Sequence, residues 1–228
     1  MSIKNLTLPK YELTLPISGV VVVYRPFTVK EEKLLLLAQE EGKVENLIMA
    51  AGQIIEACTF GSCEIGSINK VDAEYLFVQI RNKSKGEGVD VNGICKECGK
   101  KTFVTLDFTN VQVKNIETKT EIKLADNVWV TMRIPTLKES LSVTDDDGIR
   151  AIALCLDTMI EGESVLNFLD HTIEERIEWV DNLPPFSFEE FNEFFDSMPI
   201  LEFTQSFKCV HCEAPNFISV EGMESFFD

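Results

Sequence analysis

No run of about 18 uninterrupted apolar residues occurs in this 228-residue chain, so no segment of it reads as a membrane-spanning helix. The opening MSIKNLTLPK has no basic stretch leading into an apolar one, so the expectation is a chain without a secretory signal that stays in the cytosol. Histidine is scarce: His171 and His211 are the only two, which leaves imidazole-based acid–base chemistry almost no material. The G-x-S-x-G elbow, the P-loop, G-x-G-x-x-G and H-E-x-x-H are all absent. Carboxylates are plentiful but fall on what read as solvated helix faces, and the chain is expected not to be an enzyme. The enzymatic alternative is a hydrolase with a carboxylate site, recognisable by a cleft holding two or more carboxylates of raised pKa.

Basic residues run short in one part of the chain. Residues 1–135 hold 17 Lys+Arg and 17 Asp+Glu, whereas residues 136–228 hold 4 and 21, so the whole net charge of −17 sits in the second segment. Such a charge repels phosphate backbones and argues against nucleic acid as the main ligand. A protein partner with a basic or mixed surface fits better. With 45% apolar and 26% charged residues and a mean hydropathy of +0.03, the chain has the balance of one or two globular domains.

Seven cysteines in a reducing compartment point to burial or metal in place of disulfides. Cys58, Cys63 and Cys155 stand singly in apolar contexts and read as small buried hydrophobes. Cys95-Lys96-Glu97-Cys98 and Cys209-Val210-His211-Cys212 form two C-x2-C pairs. In such a loop two thiolates approach one ion while backbone N–H groups donate to the sulfurs. Two loops complete a four-cysteine tetrahedral Zn2+ site, and with no open position it would be structural. The 110 residues between the pairs exceed the spacing of a compact module, but each pair runs into a strand, over Thr102–Phe108 and over Phe217–Val220. That is the arrangement of a zinc ribbon whose hairpins come from distant segments. His211, inside its own knuckle, is a poor fourth ligand.

Periodicity and capping residues place the remaining elements. Glu12–Leu15 and Val20–Tyr24 read as a hairpin about a Pro16–Gly19 turn; Thr28 and Glu31 make a capping box for a helix over Val29–Glu40, ended by Gly42. Helices are expected over Val44–Cys58 and Asp72–Arg81, then a loop from Asn82 (NKSKGEG). Thr102–Phe108, Val111–Val113, Glu121–Leu124 and Val128–Ile134 read as strands, the last two a hairpin. Past Pro135, the residues Thr144–Asp147 are expected to cap a helix carrying Ile149, Ile152, Leu156 and Met159. Thr172/Glu175 and Ser187/Glu190 read as two more capping boxes, with Phe186 and Phe191 as a hydrophobic staple for the second. On that last helix Phe188, Phe191, Phe194 and Phe195 back onto Glu189, Glu190, Glu193 and Asp196; with Phe226 and Phe227 at the C-terminus they are the candidate partner-binding face.

These elements predict an α+β chain in three regions. Residues 1–84 are an N-terminal hairpin with helices, residues 85–135 a small antiparallel β region bearing the first knuckle, and residues 136–228 an acidic helical region returning to the second.

The run from Leu13 to Glu41 resembles the opening of the T4-type bacteriophage baseplate hub subunit and hub-assembly family. There a short hairpin leads into R-P-F-T-x-[KR]-E-E-K-x-L, here Arg25, Pro26, Phe27, Thr28, Lys30, Glu31, Glu32, Lys33 and Leu35. A C-x2-C followed by a strand, as at Cys95 and Cys98, is similar too. The opening motif ends a strand and starts a helix, so it marks a fold and carries no active site. The resemblance implies a late phage protein that helps build the central hub of a contractile-tail baseplate. Its partners would be other hub and tail proteins, met in the host cytoplasm during assembly or kept in the virion. The competing reading is a zinc-ribbon regulator that binds RNA polymerase or nucleic acid through basic, aromatic ribbon strands; Lys96, Lys100 and Lys101 form a small basic spot there.

Overall fold

A computed structural model describes residues 6–86, 88–143 and 147–222; Thr144, Asp145, Asp146, Phe226 and Phe227 from the expectations above lie outside them. The N-terminal hairpin forms as expected, β1 (Tyr11–Thr14) antiparallel to β2 (Val21–Tyr24) with Tyr11 opposite Tyr24. Its turn is tied down from elsewhere in the chain. The fully buried Asp72 accepts the N–H of Ile17 at 2.8 Å and of Ser18 at 2.9 Å, two donors that offset the cost of removing a carboxylate from water. Pro26 ends β2, and α1 (Val29–Glu41) starts with the Thr28/Glu31 capping box and stops at Gly42, whose φ of +66° suits a residue without a Cβ. The next helix, α2 (Val44–Cys58), has the expected bounds.

The third helix, α3 (Lys70–Lys85), runs a turn beyond the expected Arg81, through residues expected to be loop. Their polar side chains are used, not solvated. Buried Asn82 donates to the carbonyl of Phe108 at 3.0 Å, and the Ser84 hydroxyl accepts from the N–H of Phe27 at 2.8 Å. Next come β3 (Gly88–Ile94), β4 (Lys101–Asp107), β5 (Gln112–Lys114), β6 (Glu121–Ala125) and β7 (Val128–Met132). Beyond Pro135 lie α4 (Leu137–Ser140), α5 (Gly148–Cys155), β8 (Leu156–Glu161), β9 (Ser164–Asn167), α6 (Ile173–Asp181) and α7 (Ser187–Asp196). Strands β10 (Ile200–Lys208) and β11 (Pro215–Glu221) follow. The α+β class stands, and the acidic region carries strands as well as helices.

Two compact units result. One draws on the described residues within Met1–Ile65, Val71–Lys114 and Ile200–Asp228, the other on Gly66–Lys70 and Asn115–Pro199. In the first, Val78 of α3 packs with Val104, Leu106, Phe108, Leu201 and Phe203, and the Phe108 and Phe203 rings meet edge to face at 4.9 Å. In the second, the antiparallel sheet β6-β7-β8-β9 places Ile122, Val130, Met132 and Leu156 against Phe191 and Phe194 of α7 and Val180 of α6.

Three local expectations in the second unit are corrected. Leu156 and Met159 belong to strand β8, opposite Met132 and Val130 of β7; their helical spacing from Ile149 and Ile152 was coincidental, and α5 ends at Cys155. Ser187 makes no capping box. The N–H groups of Ser187 and Phe188 donate to the carbonyls of Pro184 and Pro185, the proline turn satisfies the helix start, and the Ser187 hydroxyl is buried without a hydrogen bond. Phe186 stays exposed while Phe191 is buried, so the staple does not form. A capping box the sequence reading passed over, Thr136 with Glu139, starts α4, and Glu139 also accepts from the two terminal guanidinium nitrogens of Arg133 at 2.9 and 2.6 Å.

The Arg25-Pro26 motif has a physical role beyond ending a strand. Arg25 donates to Glu31 at 2.9 Å, and Thr28 donates its N–H to the same carboxylate at 2.7 Å. Burial pushes the Glu31 carboxyl up, but the bonds from Arg25 and Thr28 outweigh it and hold the group at about 2. Glu31→Gln is expected to cost about 1–2 kcal/mol at neutral pH, at the low end for charged hydrogen bonds because the pair is partly solvated. A depressed carboxyl contributes above its unfolded value of 4.5 and loses that contribution as pH falls towards 2. In urea unfolding the gap between variant and wild type should therefore close over that window; a gap independent of pH would contradict the assignment.

Candidate functional site

Hairpins β3–β4 and β10–β11 each carry one C-x2-C loop, and the two loops repeat one backbone design. In the first, the N–H of Cys95 donates to the carbonyl of Lys100 and that of Gly99 to Cys95; in the second, Cys209 donates to Ala214 and Glu213 to Cys209. Gly99 and Glu213 occupy the same left-handed position, with φ of +69° and +57°. Glycine adopts it without strain, whereas Glu213 is held there by the loop.

The four sulfurs converge as the sequence predicts. Cys95 Sγ lies 3.6 Å from Cys212 Sγ, Cys98 Sγ lies 3.6 Å from Cys209 Sγ, and all four are within 4.8 Å of one another. Disulfide sulfurs would stand about 2.05 Å apart. Four metal–sulfur bonds of about 2.3 Å imply a tetrahedron with edges of about 3.8 Å, close to the spacing seen. Cys95 and Cys209 are buried and Cys98 and Cys212 exposed. The donor set therefore fits a single thiophilic metal ion in a closed site. His211 stays outside the set: its N–H donates to Cys209 Sγ at 3.4 Å, and its imidazole is not among the clustered ligands.

Backbone donors tune these thiols. The Cys98 N–H holds Cys95 below its ordinary value, and the His211 N–H leads the contacts that bring Cys209 down to about 6. The Ala214 N–H acts the same way on Cys212, but the three facing sulfurs, with some loss of solvation beside them, outweigh it and push that thiol up to about 12. Four thiols this close resist collective ionisation, and a cation among them removes that resistance. The lone cysteines differ. Burial pushes Cys58 up to about 11 and Cys155 up to about 12, which keeps both as neutral, inert thiols.

Each hairpin reaches across to the other's loop, a feature the sequence reading missed. Asn216 of β11, buried, accepts the Lys96 N–H at 2.9 Å and donates to Cys95 Sγ at 3.4 Å. Thr102 of β4, also buried, accepts the Val210 N–H at 3.4 Å. Both stand seven residues after the first cysteine of their pair, so a polar residue at that spacing was the available signal. Between the hairpins Gly93 meets Phe207: a Cβ there would sit 2.7 Å from Phe207 Cζ and 3.2 Å from Ile218 Cδ1.

The candidate partner face divides. Phe191 and Phe194 are fully buried core residues and are not available to a partner, a correction that follows from the width of the apolar stripe on α7. Phe188 and Phe195 are half-buried and line an open groove of about 390 Å3 with Ile149, Ile152, Ala151 and Asn192.

The chain thus has an α+β fold with a split ribbon that carries a four-cysteine cluster of a spacing that could hold one metal ion. The chain matches the family described as T4 bacteriophage base plate protein over residues 8–228 and belongs to that family. No curated protein and no solved structure matches it.

Gly93→Ala should destabilise the protein by about 1–2 kcal/mol, an overpacking cost reduced by alanine's stiffer unfolded chain. Chemical denaturation measures it, and a neutral result would contradict the close approach of the hairpins.

Proposed function

We propose that this baseplate-family protein is a non-enzymatic component of central-hub assembly, acting through protein–protein contacts, with one structural Zn2+ in its four-cysteine site. The observation that carries the role is the family match across nearly the whole chain. Zinc is favoured among thiophilic ions because an all-cysteine tetrahedral set is its usual closed, structural environment. Such a site clips β10 and β11 to β3 and β4 and leaves no position for substrate.

The groove at Phe188 and Phe195 is the contact face on this reading, with the net −17 of residues 136–228 favouring a partner that surrounds an apolar anchor with basic residues. Nothing in the role calls for a membrane, and among the described residues no helix is long and apolar enough to cross one. The setting is the host cytoplasm during assembly, with the virion baseplate as destination.

Tagged protein isolated late from infected cells should bring down hub and baseplate proteins identifiable by mass spectrometry. Recovery of polymerase subunits or nucleic acid instead would overturn the hub role and make the ribbon a regulatory module. A separate test addresses the clip. Cys98→Ser should speed hydrogen exchange in Ile200–Lys208 and Pro215–Glu221 while leaving β6 to β9 unchanged, and unchanged exchange in the two hairpin strands would refute it.

A further inference from the structure

Two surfaces outside the metal centre and the phenylalanine groove break the usual pattern of an antiparallel sheet, in which the solvent face is polar. The first is the outer face of hairpin β3–β4. Ile94 is 64% exposed and Phe103 68% exposed. Ile94 pairs with Lys101 and Phe103 with Asn92, so Ile94, Lys101 and Phe103 share one face as cross-strand and diagonal neighbours. In the adjoining loop Lys96, Glu97 and Lys100 are exposed, with the Lys96 ammonium 4.0 Å from the Phe217 ring centroid, so with Lys101 the lysines outnumber the carboxylate. This is a basic spot with an apolar centre on a chain of net charge −17.

The second surface is the outer face of the four-stranded sheet. Pairing registers place Lys123, Trp129, Ile160 and Val165 in one row across β6, β7, β8 and β9. Trp129 is 41%, Ile160 40% and Val165 69% exposed, although the opposite face of the same sheet holds the core. The one cation in the row, Lys123, is paired at the surface with the exposed Asp126 at 3.3 Å. Glu121 lies on the same face one register step away, and exposed Glu163 sits in the β8–β9 turn beside Val165. This surface is apolar at its centre and acidic at its edge.

We infer that the two faces are complementary halves of one self-association contact: the basic, apolar outer face of hairpin β3–β4 docks on the acidic, apolar outer face of the β6–β9 sheet of a second copy. The occupant follows from charge. The lysines of one face meet Glu121 and Glu163 of the other, while Ile94 and Phe103 cover Trp129, Ile160 and Val165. Because two different patches meet, the contact is heterologous and repeats head to tail, closing into a ring or extending according to its rotation. The inference does not depend on hub assembly or on the groove at Phe188.

Sedimentation velocity of the metal-loaded full chain tests it. Wild-type protein should show concentration-dependent association that weakens as salt is raised. Phe103→Glu and Trp129→Glu should each weaken it about tenfold or more, with unchanged thermal melts showing that both variants fold. The decisive step mixes the two variants. Phe103→Glu keeps the sheet face and Trp129→Glu keeps the ribbon face, so the mixture should form dimers and nothing larger. A wild-type chain that stays monomeric at every soluble concentration overturns the inference. So does association that fails with Trp129→Glu but survives Phe103→Glu, which would mean two sheets packed face to face, or a mixture that remains monomeric.

Discussion

Four sulfurs must meet at one point, and the two pairs stand more than a hundred residues apart, Cys98 being 111 residues from Cys209. The chain leaves the first unit after Lys114, builds the second unit over Asn115–Pro199 and returns at Ile200. Linking residues about 100 apart removes on the order of 5 kcal/mol of entropy from the unfolded chain, and a metal clip acts by the same argument. The returning strand is also secured without metal: β10 pairs with both β5 and β11, and it buries Leu201 and Phe203. A metal clip would thus reinforce a packed junction, and the reciprocal Asn216 and Thr102 contacts hold the two cysteine loops together without it.

A four-cysteine set filled by one metal ion would leave no open position for substrate, in keeping with the structural role proposed for this member of the baseplate family. What remains for function is surface, and the surface is uneven. The net negative charge comes from residues 136–228, and the ribbon presents lysines beside exposed Ile94 and Phe103. The groove between α5 and α7 adds a third chemically distinct area. Faces of this kind select a partner by charge and anchor it with a few apolar side chains.

Local chemistry was legible where one signal dominated. Thr28 with Glu31, the Gly42 stop, the N-terminal hairpin and the bounds of α2 were all readable, because caps and periodicity agreed there. The convergence of Cys95, Cys98, Cys209 and Cys212 was readable because two C-x2-C loops have few other uses than to meet. Elsewhere tertiary contacts decided. Asn82 and Ser84 look like loop residues, yet Phe108 and Phe27 give them partners that keep α3 going. Leu156 and Met159 fit a helical period and a strand alternation equally well, and pairing with β7 chose the strand. Ser187 had the right residue three positions before Glu190, but the preceding Pro184-Pro185 turn met the same backbone donors first. Phe191 and Phe194 show the limit of a helical wheel, which displays an aromatic face without telling core from contact. Asn216 and Thr102 were beyond reach for another reason: their value lies in contacts across about a hundred residues of sequence.

Native mass spectrometry of the chain purified without added metal tests the central claim most directly. The account predicts one zinc ion per chain, retained through buffer exchange and released when the thiols are alkylated under denaturing conditions. A folded chain with four free thiols and no bound metal, or with those cysteines joined as disulfides, would contradict it.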